Sequence, residues 1–239
     1  MMKKNGSFAD KDLLLEPFRY TIRKRYENFV LREVGFTEGK KRLADVFNSH
    51  LYYGLHKTDK AWVFREWAPF ATALYLIGDF SDWQKKEEYR LYKIENGNWE
   101  LDLPLDRLRH GMKYRLWVEW KGGEGERLPS HVRRAVQDED TKQFSAEVWE
   151  PAKTYLWEHE FRHREKNPLI YETHIGMSTE KLGVSTFEEF RQQVLPRIAD
   201  LGYNTIQLMG IQEHPYYGSF GYQAVSYTHL RAHETRHDL

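Results

Sequence analysis

The sequence predicts a multi-part chain that combines β and α/β structure: a helical lead, an antiparallel β-sandwich, then a parallel strand-helix-strand array. Three observations carry this expectation. Apolar side chains recur at helical spacing between residues 16 and 34, alternate with a period of two between 61 and 120, and then form strand, helix and strand between 169 and 209. With 239 residues the chain can bury the cores of one large or two modest domains.

Charge and composition narrow the partners. Thirty-six basic residues balance thirty-six acidic ones, so no surplus favours nucleic acid or an anionic membrane, and a neutral polymer fits better. There is no cysteine, hence no disulfide framework, and the charged amino terminus is followed by no apolar run. No stretch approaches the roughly 20 apolar residues that span a bilayer, and a cytoplasmic monomer is expected. Eight tryptophans within a 15% aromatic content supply flat amphipathic faces of the kind that grip sugars, although large aromatics also fill cores.

Taken in order, residues 1–15 are polar and read as frayed. Phe18, Ile22, Tyr26, Phe29 and Val30 make one helical stripe, with Arg19, Arg23, Lys24, Arg25 and Glu27 as its solvated face. Thr37-Glu38-Gly39 turns the chain, and Leu43, Val46 and Phe47 suggest a short second helix leading into Leu51–His56, so that residues 1–58 form a helical lead.

Residues 59–150 read as the sandwich. Short alternating runs at 61–67, 72–78, 99–103 and 112–120 are separated by Pro69, Gly78, Asn96-Gly97 and Gly122-Gly123, Asn-Gly being a hairpin signal. Residues 127–149 are mixed and polar. Asp138-Glu139-Asp140 invites a metal-site reading, but no glycine-turn calcium pattern accompanies it, and a solvated loop is the reading adopted.

Residues 151–167 read as a crossing, with His159 and His163 as surface groups. Leu169–Ile175 follows a proline as a strand ended by Gly176. Ser185-Thr186-Phe187-Glu188-Glu189 offers overlapping capping boxes for a helix carrying Phe187, Phe190, Val194, Ile198 and Leu201 on one face, with Pro196 expected to kink or restart it and Gly202 to cap it. Tyr203–Met209 is the second strand, parallel to the first by a right-handed crossover. The loop 211–223 then lies beyond the carboxyl end of that strand, where α/β folds bind ligands.

Tyr-Glu-Thr-His-Ile-Gly (171–176), Leu-Pro-Arg-Ile-Ala-Asp-Leu-Gly-Tyr-Asn-Thr-Ile-Gln-Leu-Met (195–209) and Glu-His-Pro-Tyr-Tyr-Gly-Ser-Phe-Gly-Tyr-Gln (213–223) resemble the opening of the catalytic barrel of the glycogen and starch branching enzymes, in the α-amylase superfamily. Trp67-Ala68-Pro69, Gly78-Asp79-Phe80-Ser81-Asp82-Trp83 and Asn96-Gly97-Asn98-Trp99 resemble the carbohydrate-binding family forty-eight module that precedes that barrel. The resemblance spans residues 16–223. It implies a (β/α)8 (TIM) barrel of which residues 151–225 are only the first β/α units, so the fold expected is a truncated TIM barrel behind a sandwich. It also implies an α-1,4-glucan polymer as partner and transfer of glucan segments to a 6-hydroxyl without organic cofactor. Glucan contacts implied by motif are Trp67, Ala68, Pro69, Trp83, Glu95, Asn96, Gly97 and Asn98, and on the active-site side Tyr222, stacking under a sugar, with Gln223. For Trp67 and Trp99, on alternating strands, the core reading is the one favoured. Trp83, in a loop-like setting, is expected to be exposed.

Retaining transfer needs two carboxyl groups about 5 Å apart across the scissile bond. By the resemblance these lie on later strands, so no catalytic residue, and no metal ligand, is assigned here. Glu172 with His174, and Glu213 with His214, read as structural pairs rather than catalytic ones. On this reading the chain alone lacks branching activity. A stand-alone glucan-binding module, or a debranching or amylase-type relative, remains the alternative. Finally, His233-Glu234-Thr235-Arg236-His237 fits a zinc-protease pattern, but it sits at the terminus with no apolar face to hold a helix. Residues 226–239 resemble translated sequencing-adapter read-through and are expected to be a non-native tail.

Overall fold

The computed structural model describes residues 12–153, 155–157 and 167–225, so the expectations for His159, His163 and the 226–239 tail lie outside the described residues. The chain divides into two compact units, Met1–Leu51 and Tyr52–Leu239.

In the first unit, a 3-10 turn at Leu13–Phe18, capped by Asp12 Oδ1 on the Leu14 N–H at 2.9 Å, precedes helix α1 (Arg19–Thr37). The α-helix starts one residue after Phe18, the first of its apolar stripe, and the 3-10 turn before it contains Pro17, which lacks a backbone donor. It ends where Glu38 and Gly39 take left-handed backbone, and α2 (Leu43–Val46) follows. Phe18, Tyr26 and Phe29 of the stripe are exposed.

In the second unit, β1 (Gly54–Lys57) emerges from the stretch expected to belong to the helical lead and pairs antiparallel with β2 (Trp62–Trp67). One sheet has the order β1-β2-β5-β4, with β4 Tyr92–Lys93 and β5 Asn98–Leu103. The other has the order β3-β6-β9-β8 with β7 also on β6, where β3 is Ala71–Gly78, β6 Lys113–Trp120, β7 Gly123–Arg127, β8 Ala135–Gln137 and β9 Phe144–Glu147. The last three strands lie in stretches the sequence presents as turn or mixed polar chain. Gly-Glu-Gly-Glu-Arg has no apolar alternation to announce β7, which is held by its ladder to β6.

Strand parity builds the core. Trp62 pairs with Leu103, Phe64 with Leu101 and Glu66 with Trp99, and all six side chains are buried on one face, whereas Arg65 and Glu100 pair on the other. The second sheet contributes Leu74, Leu76, Tyr114 and Leu116 to the same cluster, with the Phe64 and Tyr114 rings edge-to-face at 6.3 Å.

Strand β10 (Ile170–His174) pairs in parallel with β11 (Thr205–Met209). Between them the capping box forms as expected: Thr186 Oγ1 accepts from Glu189 N–H at 3.1 Å and Glu189 Oε2 accepts from Thr186 N–H at 2.8 Å. Pro196 leaves its mark as a register change: α3 (Phe187–Glu189) loosens to a π-helical turn at Phe190–Val194 and tightens again in α4 (Leu195–Asp200). Gly202 (φ +88°) follows the helix. Ile198 and Phe190 are buried against Ile175, with Tyr171, Phe187 and Ile206 packed around them, so this face of the helix has a core of its own. Leu201 alone of the stripe stays exposed, at 72%.

Candidate functional site

The glucan contacts implied for the sandwich fall into two places, with Tyr222 and Gln223 apart from both beyond β11. The Gly78–Trp83 segment closes on itself: Ser81 Oγ bonds the Gly78 backbone, Trp83 N–H donates to Gly78 O at 3.0 Å, and Asp82 and Trp83 both have left-handed backbone, φ +55° and +58°. Two adjacent non-glycine residues in that region store backbone strain. Further bonds hold the indole out from the sheet. Its Nε1–H donates to Asp79 Oδ1 at 3.2 Å, and Asp79 Oδ2 in turn accepts from Lys113 N–H at 2.7 Å. The Arg115 guanidinium lies 5.5 Å from the Trp83 ring centre and is itself locked by Glu126 Oε2 and Gln143 Oε1, both at 2.7 Å. Trp83 is 36% exposed and borders an open groove of about 880 Å³. That groove mixes Lys113, Arg115 and Arg127 with Asp79, Glu126 and Asp138 and leaves no strong net charge. Arg115, Lys113 and Gln143 were not foreseen, because nothing in sequence brings β6 and the 138–143 turn to the Trp83 loop. Asp138 caps that turn, accepting from Thr141 N–H at 2.9 Å, and these Thr141 bonds hold its carboxyl below the usual value.

The second place gathers Trp67, Ala68, Pro69, Glu95, Asn96, Gly97 and Asn98. Asn96 (φ +59°) and Gly97 (φ +80°) make the tight turn between β4 and β5. The turn is bound to the Trp-Ala-Pro segment: Trp67 Nε1–H donates to Asn96 O at 3.0 Å and Ala68 N–H to Gly97 O at 2.9 Å. A Cβ on Gly97 would lie 2.7 Å from Pro69 Cβ. Asn98 Oδ1 accepts from Tyr53 OH at 2.7 Å. Trp99 is core, 4% exposed, its Nε1–H on Ala68 O at 2.9 Å. Trp67 is not core: it is 57% exposed, which corrects the core reading offered for it. Parity explains the difference, since Trp62, Phe64 and Glu66 point inward and Trp67 therefore points outward. Beside it opens a mainly apolar cleft of about 330 Å³, bordered by Trp67, Phe70, Trp120, Leu128 and Glu66; of these only Trp67 was foreseen.

Glu66 is the acidic group in that wall, 4% exposed, its two oxygens accepting from Trp67 N–H at 3.2 Å and Ser130 N–H at 2.9 Å. Burial pushes its carboxyl up, against the Ser130 and Trp67 bonds that pull it down. A raised value in the folded state means that folding favours the protonated form. Its contribution is therefore fullest below the unfolded value and is lost as pH climbs through the folded one. The urea midpoint of the parent minus that of Glu66→Gln is expected to fall as pH is raised from about 4 to about 7. A flat difference would mean Glu66 titrates normally.

At the end of β11, Glu213 and His214 are buried, His214 Nδ1 lies 2.8 Å from Gln212 O, and the His174 and His214 rings are 6.4 Å apart. Tyr222 is 80% exposed and Gln223 is exposed beside it.

Residues 52–133 match the model of carbohydrate-binding module 48, described as the isoamylase N-terminal domain. The chain is 32% identical over 222 residues to a 1,4-alpha-glucan-branching enzyme of Dictyostelium discoideum, covering 90% of this chain and 33% of that protein. It is 36% identical over 226 residues to a 1,4-alpha-glucan-branching enzyme of Rhizophagus irregularis, covering 90% and 32%. The chain thus spans about a third of the length of these relatives. Among solved structures, a Group B Streptococcus pullulanase in complex with maltotetraose aligns at TM-score 0.60 and 19% identity over 75% of this chain and 28% of its own, a likeness of fold.

Proposed function

We infer that the chain is an amino-terminal segment of a 1,4-alpha-glucan-branching enzyme, and propose that its sandwich holds an α-glucan against the Trp83 indole. The seat of Trp83 carries this reading. An aromatic ring kept out of the core by two left-handed residues and an indole–carboxylate bond is a strained arrangement of the kind that collects at ligand clamps. A pyranose offers an apolar face to a flat ring and hydroxyls around its edge, and the groove beside Trp83 supplies both donors and acceptors with nearly cancelling charge. The hairpin cluster of Trp67, Ala68, Pro69 and Glu95–Asn98 is proposed as further glucan contact.

The strand-helix-strand unit is read as the opening of a (β/α)8 barrel, which its parallel pairing and the α-amylase-type structural neighbours support. In the whole protein, a carboxylate would attack the α-1,4 linkage while a carboxylic acid about 5 Å away protonates the departing oxygen, and the held segment would pass to a 6-hydroxyl. Tyr222 and Gln223, beyond the carboxyl end of β11, are proposed to face that substrate, with the sandwich keeping the polymer near. In this reading the protein acts as a cytoplasmic monomer without an organic cofactor.

Affinity electrophoresis of the 239-residue chain through glycogen-containing gels tests the reading. Trp83→Ala is expected to weaken retention about tenfold or more, the loss of roughly 1.4 kcal/mol of stacking. Retention equal to that of the parent would remove Trp83 from the site.

A further inference from the structure

The implied contacts do not form one surface, and we propose that they are two glucan sites occupied independently, so that a single sandwich engages two α-glucan segments at once. This rests on the glucan reading above and deepens it. Strand β3 separates the two: Ala71, just after the Trp-Ala-Pro segment, pairs with Trp120, and Gly78, just before the Trp83 loop, pairs with Tyr114. Seven strand steps of about 3.3 Å put the ends roughly 23 Å apart. Parity separates them further. Lys113 and Arg115 of β6 border the Trp83 groove, whereas Leu116, Val118 and Trp120, of opposite parity, border the Trp67 cleft. Arg127 and Leu128 are the wall common to both.

The cleft has its own aromatic equipment. Phe70 is 88% exposed and Trp67 57% exposed. Trp120 forms a fixed back wall, its ring 3.1 Å from where a Cβ on Gly123 would sit and 5.3 Å from the Arg127 guanidinium carbon. Its lining is mainly apolar, whereas the groove is charged, so the two grip a sugar chain differently: the cleft by stacking, the groove by stacking on Trp83 together with hydrogen bonds. Two such sites on one rigid sandwich turn the second contact with a polymer into an intramolecular step, at an effective concentration on the order of millimolar. A short linear oligosaccharide gains nothing from this, whereas a branched polymer with many chain ends does.

Calorimetric titration of the 239-residue chain with maltoheptaose is expected to give two sites per chain. Trp67→Ala should leave one, Trp83→Ala should leave the other, and the double variant none. Phe70→Ala, at a position 88% exposed, should weaken only the site that Trp67→Ala removes. On glycogen each single variant should lose about tenfold or more in affinity, while its remaining maltoheptaose site keeps the parent's constant. One site abolished equally by Trp67→Ala and Trp83→Ala, or one site indifferent to both Trp67→Ala and Phe70→Ala, overturns the two-site arrangement and leaves glucan binding intact. No binding of either sugar by the parent chain overturns the glucan reading itself.

Discussion

Phe64→Ala is expected to lower the stability of the sandwich by about 3–5 kcal/mol, a large part of the 5–15 kcal/mol typical of a folded domain. Phe64 is fully buried, meets Tyr114 edge-to-face across the two sheets, and stands opposite Leu101 on the neighbouring strand. Neither sheet can follow the lost ring without giving up its ladder, so the removed contacts leave a cavity. Phe70→Ala, a few residues away but 88% exposed, should stay within about 0.5 kcal/mol of the parent. Urea titration followed by tryptophan fluorescence measures both. Equal midpoints for the two variants would show that the Phe64 side chain is not the link between the sheets.

Gly78→Ala is expected to damage stability and sugar binding together. Its backbone is extended, so the difficulty is space: a Cβ would lie 2.3 Å from Lys113 O and 2.9 Å from Tyr114 Cα, both backbone atoms of β6. Accommodating it must part the ends of β3 and β6, at a cost of about 1–3 kcal/mol. The same movement breaks the Asp79 carboxylate from Lys113 N–H, and with it the acceptor that orients the Trp83 indole. Glycogen retention of Gly78→Ala should fall to the level of Trp83→Ala, although no side chain in the groove has been altered. Retention at the parent's level, in a variant with a lowered urea midpoint, would show that the Trp83 seat does not depend on this contact.

Much of the site was legible as parts. The loop setting of Trp83 announced its exposure, and the Asn-Gly pair announced the turn that now binds the Trp-Ala-Pro segment. The position of Trp67 was also written in the strand, since counting by twos from Trp62 places it on the outer face; the weight given to tryptophan as a core residue obscured that. The partners of these residues were another matter. Arg115 behind Trp83 and Trp120 beside Trp67 arrive from β6, about 30 to 50 residues further along the chain, through sheet pairing. Strands β7 to β9 were missed for a related reason: β7 is held by its ladder, and β8 and β9 are short strands that bury only small residues such as Ala135 and Ala146, and a ladder has no local signature.

Periodicity, caps and turn residues are local, and they were enough to determine helix α1, strands β2, β3, β5, β6, β10 and β11, the Thr186 capping box, the disturbance at Pro196 and the order of helix, sandwich and parallel pair. Tertiary structure alone decided that the residues proposed to contact glucan divide between two ends of β3, that Glu66 is buried between Trp67 and Ser130, and that Phe190 and Ile198 find cover against Ile175. The reason is physical: spacing along a chain determines which face a side chain takes within its own element, while the neighbour it meets depends on register between strands distant in sequence, which is selected by packing of the whole core.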